Sequence, residues 1–165
     1  MATTRRDLNS ARIQLAENNE SNRKVTSVML KRLGYSVDAV TNGREVLRAL
    51  KHQPYDIVLM NLRMPDVDGF EATRMIRELC PAAVQPTIIA LTAYILPNSK
   101  ERCLEAGMND FIAKPVKIDD LAAMLSKHTR ILEQKTAFIQ SLAETFGIQG
   151  QFPTCSGSIL PFSRD

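Results

Sequence analysis

The fold is constrained most by one stretch of the chain, residues 55–69. It begins with an apolar run, Ile57 to Met60, and then breaks into a loop that contains a proline, two aspartates and Gly69. An apolar run with β-branched residues that ends in such a loop is typical of a buried parallel strand. Asn61 then lies at the carboxyl end of that strand, where ligands bind in open α/β sheets.

The rest of the chain repeats this unit, so that strand and helix alternate five times. Strands are predicted at 12–17, 35–40, 57–60, 86–91 and 110–113, with a helix after each, the last at 118–128. Strict alternation with short connections implies right-handed crossovers and a doubly wound α/β fold, with a parallel sheet covered by helices on both faces. The strand order 2-1-3-4-5 brings together Glu17, Asn18 and Asn61, with Thr92 and Lys114 at the ends of the next two strands.

Local signals place the ends and faces of the helices. Asn19 and Asn42 precede helical patterns and are predicted N-caps. The first helix is expected to bury the stripe formed by Val25, Val28, Met29 and Leu33.

Four segments are expected along the 165 residues: an N-terminal arm (1–11), the α/β domain (12–128), an extra amphipathic helix (129–147) and a flexible tail (148–165). The extra helix has one broad apolar face. Two interpretations stay open for that face: it packs on its own domain, or it contacts a dimer mate or a neighbouring domain of a larger chain.

Charge and hydropathy exclude two classes of function. The net charge of +3 is small, and no aromatic residues interleave with the basic ones, which argues against nucleic acid binding. The longest nearly apolar run, Thr87 to Leu96, is too short to span a bilayer, and no apolar stretch follows Arg5 and Arg6 as in a secretory signal. We therefore expect a cytoplasmic protein that makes no membrane contact through this segment.

Three motifs in fixed order carry a family resemblance. They are Leu59–Gly69, Leu91-Thr-Ala93 and Phe111-Ile-Ala-Lys-Pro115. Residues 12–128 resemble the response-regulator receiver domain of two-component signalling, and Leu15–Val25 resembles the form fused to hybrid histidine kinases. The resemblance implies a flavodoxin-like sheet and a module that receives a phosphoryl group from a histidine, without being an enzyme itself; the full-length parent is then a histidine kinase.

The resemblance also assigns roles at the strand ends. In the family, two acidic residues and an aspartate hold Mg²⁺, and that aspartate is the phosphoacceptor. The matching positions are Glu17 and Asn18 for the acidic pair and Asn61 for the acceptor, with the Arg63 carbonyl as a further metal ligand. Two of the three acidic positions are therefore amides.

The remaining family positions are intact. Thr92 resembles the hydroxyl that contacts the phosphoryl group and changes position with the switch, and Lys114 resembles its cationic partner. Phe111 resembles the aromatic switch residue, and the bond before Pro115 is commonly cis in the family.

The amides change the expected chemistry. With Lys114 nearby, the local charge rises from about −2 for three carboxylates to about zero, so Mg²⁺ binding is expected to be weak or absent and no cofactor to bind tightly. Asn61 cannot form an acyl phosphate. We therefore predict no stable phosphorylation at Asn61.

Two main hypotheses for function follow. The first is a degenerate receiver that acts as a phosphorylation-independent interaction module. The second is an ordinary hybrid-kinase receiver whose phosphoacceptor aspartate was changed to asparagine. A flavin- or nucleotide-binding protein is a distant third, because no glycine-rich phosphate loop follows the first strand. Expected partners are a histidine kinase or histidine phosphotransfer domain, and a homodimer is a further expectation.

Overall fold

The computed structural model describes residues 11–93 and 96–147. Strand and helix alternate along these residues, with one short 3₁₀ turn at Ala82–Val84. The elements are β1 (Arg12–Ala16), α1 (Glu20–Arg32), β2 (Ser36–Val40), α2 (Gly43–His52), β3 (Ile57–Asn61), α3 (Gly69–Leu79), β4 (Thr87–Thr92), α4 (Ser99–Ala106), β5 (Asp110–Ala113) and α5 (Ile118–Phe146). The predicted tail and all of the predicted N-terminal arm except Ala11 lie outside the described residues.

All five strands are parallel and lie in the order β2-β1-β3-β4-β5, which confirms the prediction. Strand β3 is central and every one of its residues is buried. Because side chains alternate across a strand, β3 contributes to two cores: Val58 and Met60 face α2 and α3, while Ile57 and Leu59 face α1 and α5. The apolar run in the sequence is thus explained by burial on both faces.

Side-chain caps fix where the first helices begin. Asn19 Oδ1 accepts a hydrogen bond from the Asn22 N–H, and Asn42 Oδ1 accepts one from the Glu45 N–H, each at 2.9 Å. Both predicted caps are confirmed, and each contributes about 1 kcal/mol.

The exposed face of α1 differs from the sequence prediction. Val25 and Val28 are 54% and 55% exposed, whereas Thr26 and Leu30 are buried. The prediction of inward valines is wrong because apolar spacing alone does not fix the rotation of a helix. The stripe containing Thr26 and Leu30 also includes the partly buried Met29, so the two candidate stripes overlap.

The two helices predicted after β5 are one continuous helix. Helix α5 runs for 29 residues to Phe146, and its C-cap Gly147 has a positive φ of 62°. The predicted break near His128 is wrong because no glycine or proline interrupts the pattern there. No helix in the described part of the chain is long and apolar enough to cross a membrane.

An ion-pair cluster ties α5 to β5. Asp110 accepts a hydrogen bond from Lys127 Nζ at 2.8 Å, and His128 Nε2 lies 3.2 Å from the same carboxylate oxygen. Burial acts to raise the pKa of Asp110, but the bonds from Lys127, the Phe111 N–H and His128 outweigh it, so the pKa is lowered. The cluster therefore stabilises the fold at pH values above the pKa of an ordinary aspartate. This stabilisation is lost as the pH falls through the lowered pKa of Asp110.

One buried side chain of β1 lacks hydrogen-bond partners. Gln14 is fully buried, and within the described residues neither atom of its amide has a partner. Because an unsatisfied buried polar group costs free energy, Gln14→Leu is expected to raise the free energy of unfolding by about 1–2 kcal/mol in urea denaturation. The exposed Gln134→Leu is the matched control, with little change expected. A loss of stability in Gln14→Leu would contradict this prediction.

Candidate functional site

A cleft of ≈ 1150 Å³ opens at the carboxyl edge of the sheet. Six of the seven predicted site residues line it: Glu17, Asn18, Asn61, Arg63, Thr92 and Lys114. The seventh, Phe111, lies half-buried on β5 against the core on the α2 and α3 side and lines a separate shallow pocket. The topology therefore brings together the residues that were predicted to meet.

Gly69 holds the loop after β3 against the end of that strand. A Cβ at this position would meet the Asn61 carbonyl oxygen and the Leu62 Cα, so only glycine permits this approach. The Gly69 N–H donates to the Leu62 carbonyl at 3.0 Å. This loop supplies the Arg63 carbonyl to the cleft.

Glu17 is the buried carboxylate of the cleft, and its side chain is 2% exposed. Lys114 Nζ donates to Oε2 at 2.6 Å, and the Asn19 N–H donates to Oε1 at 3.0 Å. The Lys114-Pro115 bond is cis, as the resemblance implies. Both carboxylate oxygens are thus engaged by groups of the chain itself.

The Asn61 amide lies at the centre of a ring of oxygens. Its Nδ2 is 3.1 Å from Glu17 Oε1, 2.9 Å from Asn18 Oδ1 and 3.0 Å from the Arg63 carbonyl oxygen. Turning the Asn18 amide over brings its own N–H within 3.0 Å of the Arg63 carbonyl and 3.2 Å of Glu17 Oε1. The turned amide also places its nitrogen 2.9 Å from Asn61 Nδ2, so the oxygens that an amide N–H group joins in either orientation are those of Glu17 and Arg63.

A second cation lies beside the loop after β1. Arg23 Nη1 donates to the Glu17 carbonyl at 3.0 Å and to the Asn18 carbonyl at 3.4 Å. Sequence reasoning missed this role of Arg23, although its position four residues after the Asn19 cap places it one turn above the loop. The formal charges of Glu17 and Lys114 cancel, and Arg23 adds positive charge.

Other side chains at the cleft are positioned by the loops. Thr92 ends β4 and is buried, and the Lys114 N–H donates to its carbonyl at 2.7 Å. Asp68 is the N-cap of α3, so its carboxylate stabilises the start of that helix. The Phe70 ring lies 5.3 Å from the Arg102 guanidinium at the mouth of the cleft, a contact between separate helices that the sequence does not signal.

The donor set does not fit the divalent metal that the resemblance implies. A hard cation such as Mg²⁺ needs oxygen ligands and several negative charges. Here Glu17 is the one carboxylate of the ring, it is paired with Lys114, and an amide nitrogen occupies the centre. Among the described residues, no group of three or more His, Cys, Asp or Glu side chains could hold a metal ion.

Comparisons with known proteins agree on one family. The family sequence model for the response regulator receiver domain matches residues 13–126 of this chain. Hybrid signal transduction histidine kinase B of Dictyostelium discoideum is 42% identical over 128 residues, which cover 71% of this chain and 6% of that protein. The chain therefore spans a small fraction of this relative's length.

Two solved receiver domains share the fold. The receiver domain of the sensor histidine kinase PA1611 from Pseudomonas aeruginosa PAO1 is 42% identical to this chain, with a TM-score of 0.64. The match covers 72% of this chain and 97% of that one. That structure has a magnesium ion coordinated in its active-site cleft. The receiver domain of Ssk1 from Saccharomyces cerevisiae was solved together with the histidine phosphotransfer protein Ypd1. It is 24% identical to this chain with a TM-score of 0.69, and the match covers 74% of this chain and 90% of that one.

Proposed function

The chain belongs to the response regulator receiver domain family of two-component phosphorelays, and from this premise we propose that it regulates by protein contact without carrying a phosphoryl group. The site residues of this degenerate receiver are Asn61 at the phosphoacceptor position and Glu17, Asn18 and Arg63 at the metal positions. Thr92 and Lys114 keep the phosphoryl-contact positions, and Phe111 keeps the switch position.

One observation carries the proposal: amide N–H groups join the oxygens of Glu17 and Arg63 in either orientation of the Asn18 side chain. Oxygens that would repel one another without a cation are held here by neutral N–H donors. The arrangement therefore needs no metal ion to stay together. It supports a receiver whose cleft is fixed in one state.

The chemistry of residue 61 supports the same conclusion. Attack on a phosphoryl group requires a nucleophilic oxygen, and an amide oxygen is a far weaker nucleophile than a carboxylate. Phosphoryl transfer also depends on cations that neutralise the developing charge. Lys114, the cation at the phosphoryl-contact position, is engaged with Glu17 at 2.6 Å.

The exposed face of α1 supports a histidine-bearing helix as partner. Val25 and Val28 are more than half exposed there, and Asn22 lies one turn before them at the rim of the cleft. A helix that presents apolar residues between polar ones suits docking against another helix. We assign this face to a histidine kinase or a histidine phosphotransfer domain in the cytoplasm, within or beside a longer kinase chain.

A second candidate function is an ordinary receiver in which asparagine has replaced the acceptor aspartate. The observation that favours it is that Thr92 and Lys114 are intact and both line the cleft. The two candidates differ in whether aspartate at position 61 restores a coupled switch.

The proposal is tested with acetyl phosphate, a small-molecule phosphodonor. In the presence of Mg²⁺ and acetyl phosphate, the chain is expected to gain no phosphoryl group, because Asn61 offers no carboxylate. Intact mass spectrometry measures the result. The variant with aspartate at positions 18 and 61 is the positive control. A phosphoryl group on the unaltered chain at any residue of the cleft would refute the proposal.

A further inference from the structure

The second half of α5 extends beyond the receiver fold. Leu121 and Leu125 are fully buried, and Leu132 is the most C-terminal residue of the described helix that packs against either core cluster. The family match ends at residue 126, but the helix continues to Phe146. At 1.5 Å per residue, residues 133–146 extend for about 21 Å. We call these residues the free half of α5.

The free half exposes large apolar side chains to solvent. Phe138 is 64% exposed, Phe146 is 69% exposed and Leu142 is 39% exposed. Ile131, just before the free half, is 50% exposed. A contiguous apolar stripe of this kind on a helix marks an interaction surface.

Helix α5 has the seven-residue repeat of a helix–helix seam, and Ile131 and Phe138 each lie one residue before a first position of the repeat, at the edge of the seam. The first positions of the repeat are Ile118, Leu125, Leu132, Ile139 and Phe146, and the fourth positions are Leu121, His128, Lys135 and Leu142. In the first half of α5 these residues face the sheet, and in the free half the same repeat continues with no sheet beneath it. A repeat of 3.5 residues is the pattern that packs a helix against a second helix.

We propose that two copies of this chain pair through the free halves of α5, which run antiparallel. A fully buried aromatic side chain removes about 150–250 Å² from water, and Phe138 and Phe146 are 64% and 69% exposed, so the four phenylalanines of two copies can still bury on the order of 500 Å². With the leucine and isoleucine neighbours added, this area is that of a weak interface, below about 1,200 Å². A second copy therefore supplies enough apolar surface to cover the stripe.

The charge at Lys135 selects the antiparallel direction. A parallel pair in register would place Lys135 against Lys135 of the second copy within the seam, where like charges repel. In the antiparallel register Ile139 lies opposite Leu142 of the second copy, and Lys135 then lies opposite Phe146. An ammonium group over an aromatic ring is attracted to it.

The length of the free half also fits this register. The overlap from Lys135 to Phe146 lies within residues 133–146, so each helix ends before it reaches the core contacts of the other copy at Leu132. Helix α5 starts at the carboxyl edge of the sheet and runs toward the opposite edge. The dimer therefore leaves the cleft and the exposed face of α1 open to other partners, and it is independent of the proposed function.

Sedimentation equilibrium of the full chain tests the surface. The unaltered chain is expected to form a dimer, and Phe138→Glu/Leu142→Glu is expected to weaken dimerisation at least about 100-fold, as at a central contact. Gln140→Glu, on the outer face of the same helix, is the matched control and stays dimeric. Circular dichroism checks that each variant remains folded. A monomeric unaltered chain at about 100 µM, near the weak end of protein affinities, or a double variant that stays dimeric, would overturn the proposal.

Disulfide trapping tests the direction. Ile139→Cys and Leu142→Cys are made separately in a chain that carries Cys155→Ser, and Cys80 and Cys103 are buried. Mixing the two variants is expected to give a cross-link between them, whereas each variant alone cross-links poorly. Efficient cross-linking of either variant with itself would overturn the antiparallel arrangement.

Discussion

Changing Asn18 and Asn61 to aspartate together is expected to convert the cleft into a Mg²⁺ site that accepts a phosphoryl group. The variant places three carboxylates around the position that the Asn61 amide nitrogen now fills. Because Ca²⁺ and Mg²⁺ affinity follows the number of charged ligands, Mg²⁺ should bind at least about 100-fold more tightly than to the unaltered chain. Acetyl phosphate should then modify residue 61, as intact mass and peptide mapping will show.

The same variant should lose stability when Mg²⁺ is absent. Two new carboxylates beside Glu17 repel one another, and the loss of the amide donors removes the bonds that now join the oxygens. The free energy of unfolding should fall by about 2 kcal/mol in EDTA and recover in Mg²⁺. Asn22→Asp adds a carboxylate at the rim of the same cleft and is the matched control, with no gain in Mg²⁺ affinity expected.

This variant also separates the two candidate functions. If phosphorylation returns and amide signals change as far as Phe111, the switch is intact and the ordinary receiver hypothesis gains support. If phosphorylation returns without changes at Phe111, the switch has been lost and the contact module is favoured. If neither Mg²⁺ nor phosphoryl binding returns, the assignment of residues 18 and 61 to the family positions is refuted.

The second large effect is expected at Lys114, which is 17% exposed and pairs with the nearly buried Glu17. Lys114→Met would leave the Glu17 carboxylate in the interior without its cation, and breaking such a pair costs about 3 kcal/mol of unfolding free energy. Lys117→Met, an exposed lysine three residues away, is the matched control with little effect. Urea denaturation at neutral pH measures both.

A double variant distinguishes the contribution of the ion pair from that of the lysine side chain alone. Lys114→Met/Glu17→Gln removes both charges, so it should recover more than half of the stability lost by Lys114→Met. If the double variant is no more stable than Lys114→Met, the lysine stabilises the fold by packing rather than by its charge. That result would contradict the assignment of Glu17 and Lys114 as a mutually neutralising pair in the cleft.

Much of the fold could be predicted from the sequence because local signals and topology agree. The apolar run before Asn61, the glycine after the loop and the caps at Asn19 and Asn42 are short-range features with one structural solution each. Strict strand and helix alternation then leaves few topologies, so the meeting of Glu17 with Asn61 also followed. These predictions are confirmed by the strand order and the cleft.

Two features could not be predicted because they depend on tertiary packing. The rotation of α1 about its axis exposes Val25 and buries Leu30. Two overlapping apolar stripes were possible in the sequence, and contact with the sheet selects one of them. The direction of the Asn61 amide is set by oxygens from two loops, that of Glu17 after β1 and that of Arg63 after β3.

A Mg²⁺ titration of the unaltered chain, followed by amide chemical shifts, tests the central claim most directly. With the Asn61 amide holding the oxygens together, no saturable shift is expected at Asn61, Thr92 or Lys114 up to about tens of millimolar Mg²⁺, and none after addition of beryllofluoride, a mimic of the acyl phosphate. Saturable shifts at these residues that spread to Phe111 would contradict the claim, because they would mean that a cation displaces the amide and drives the switch.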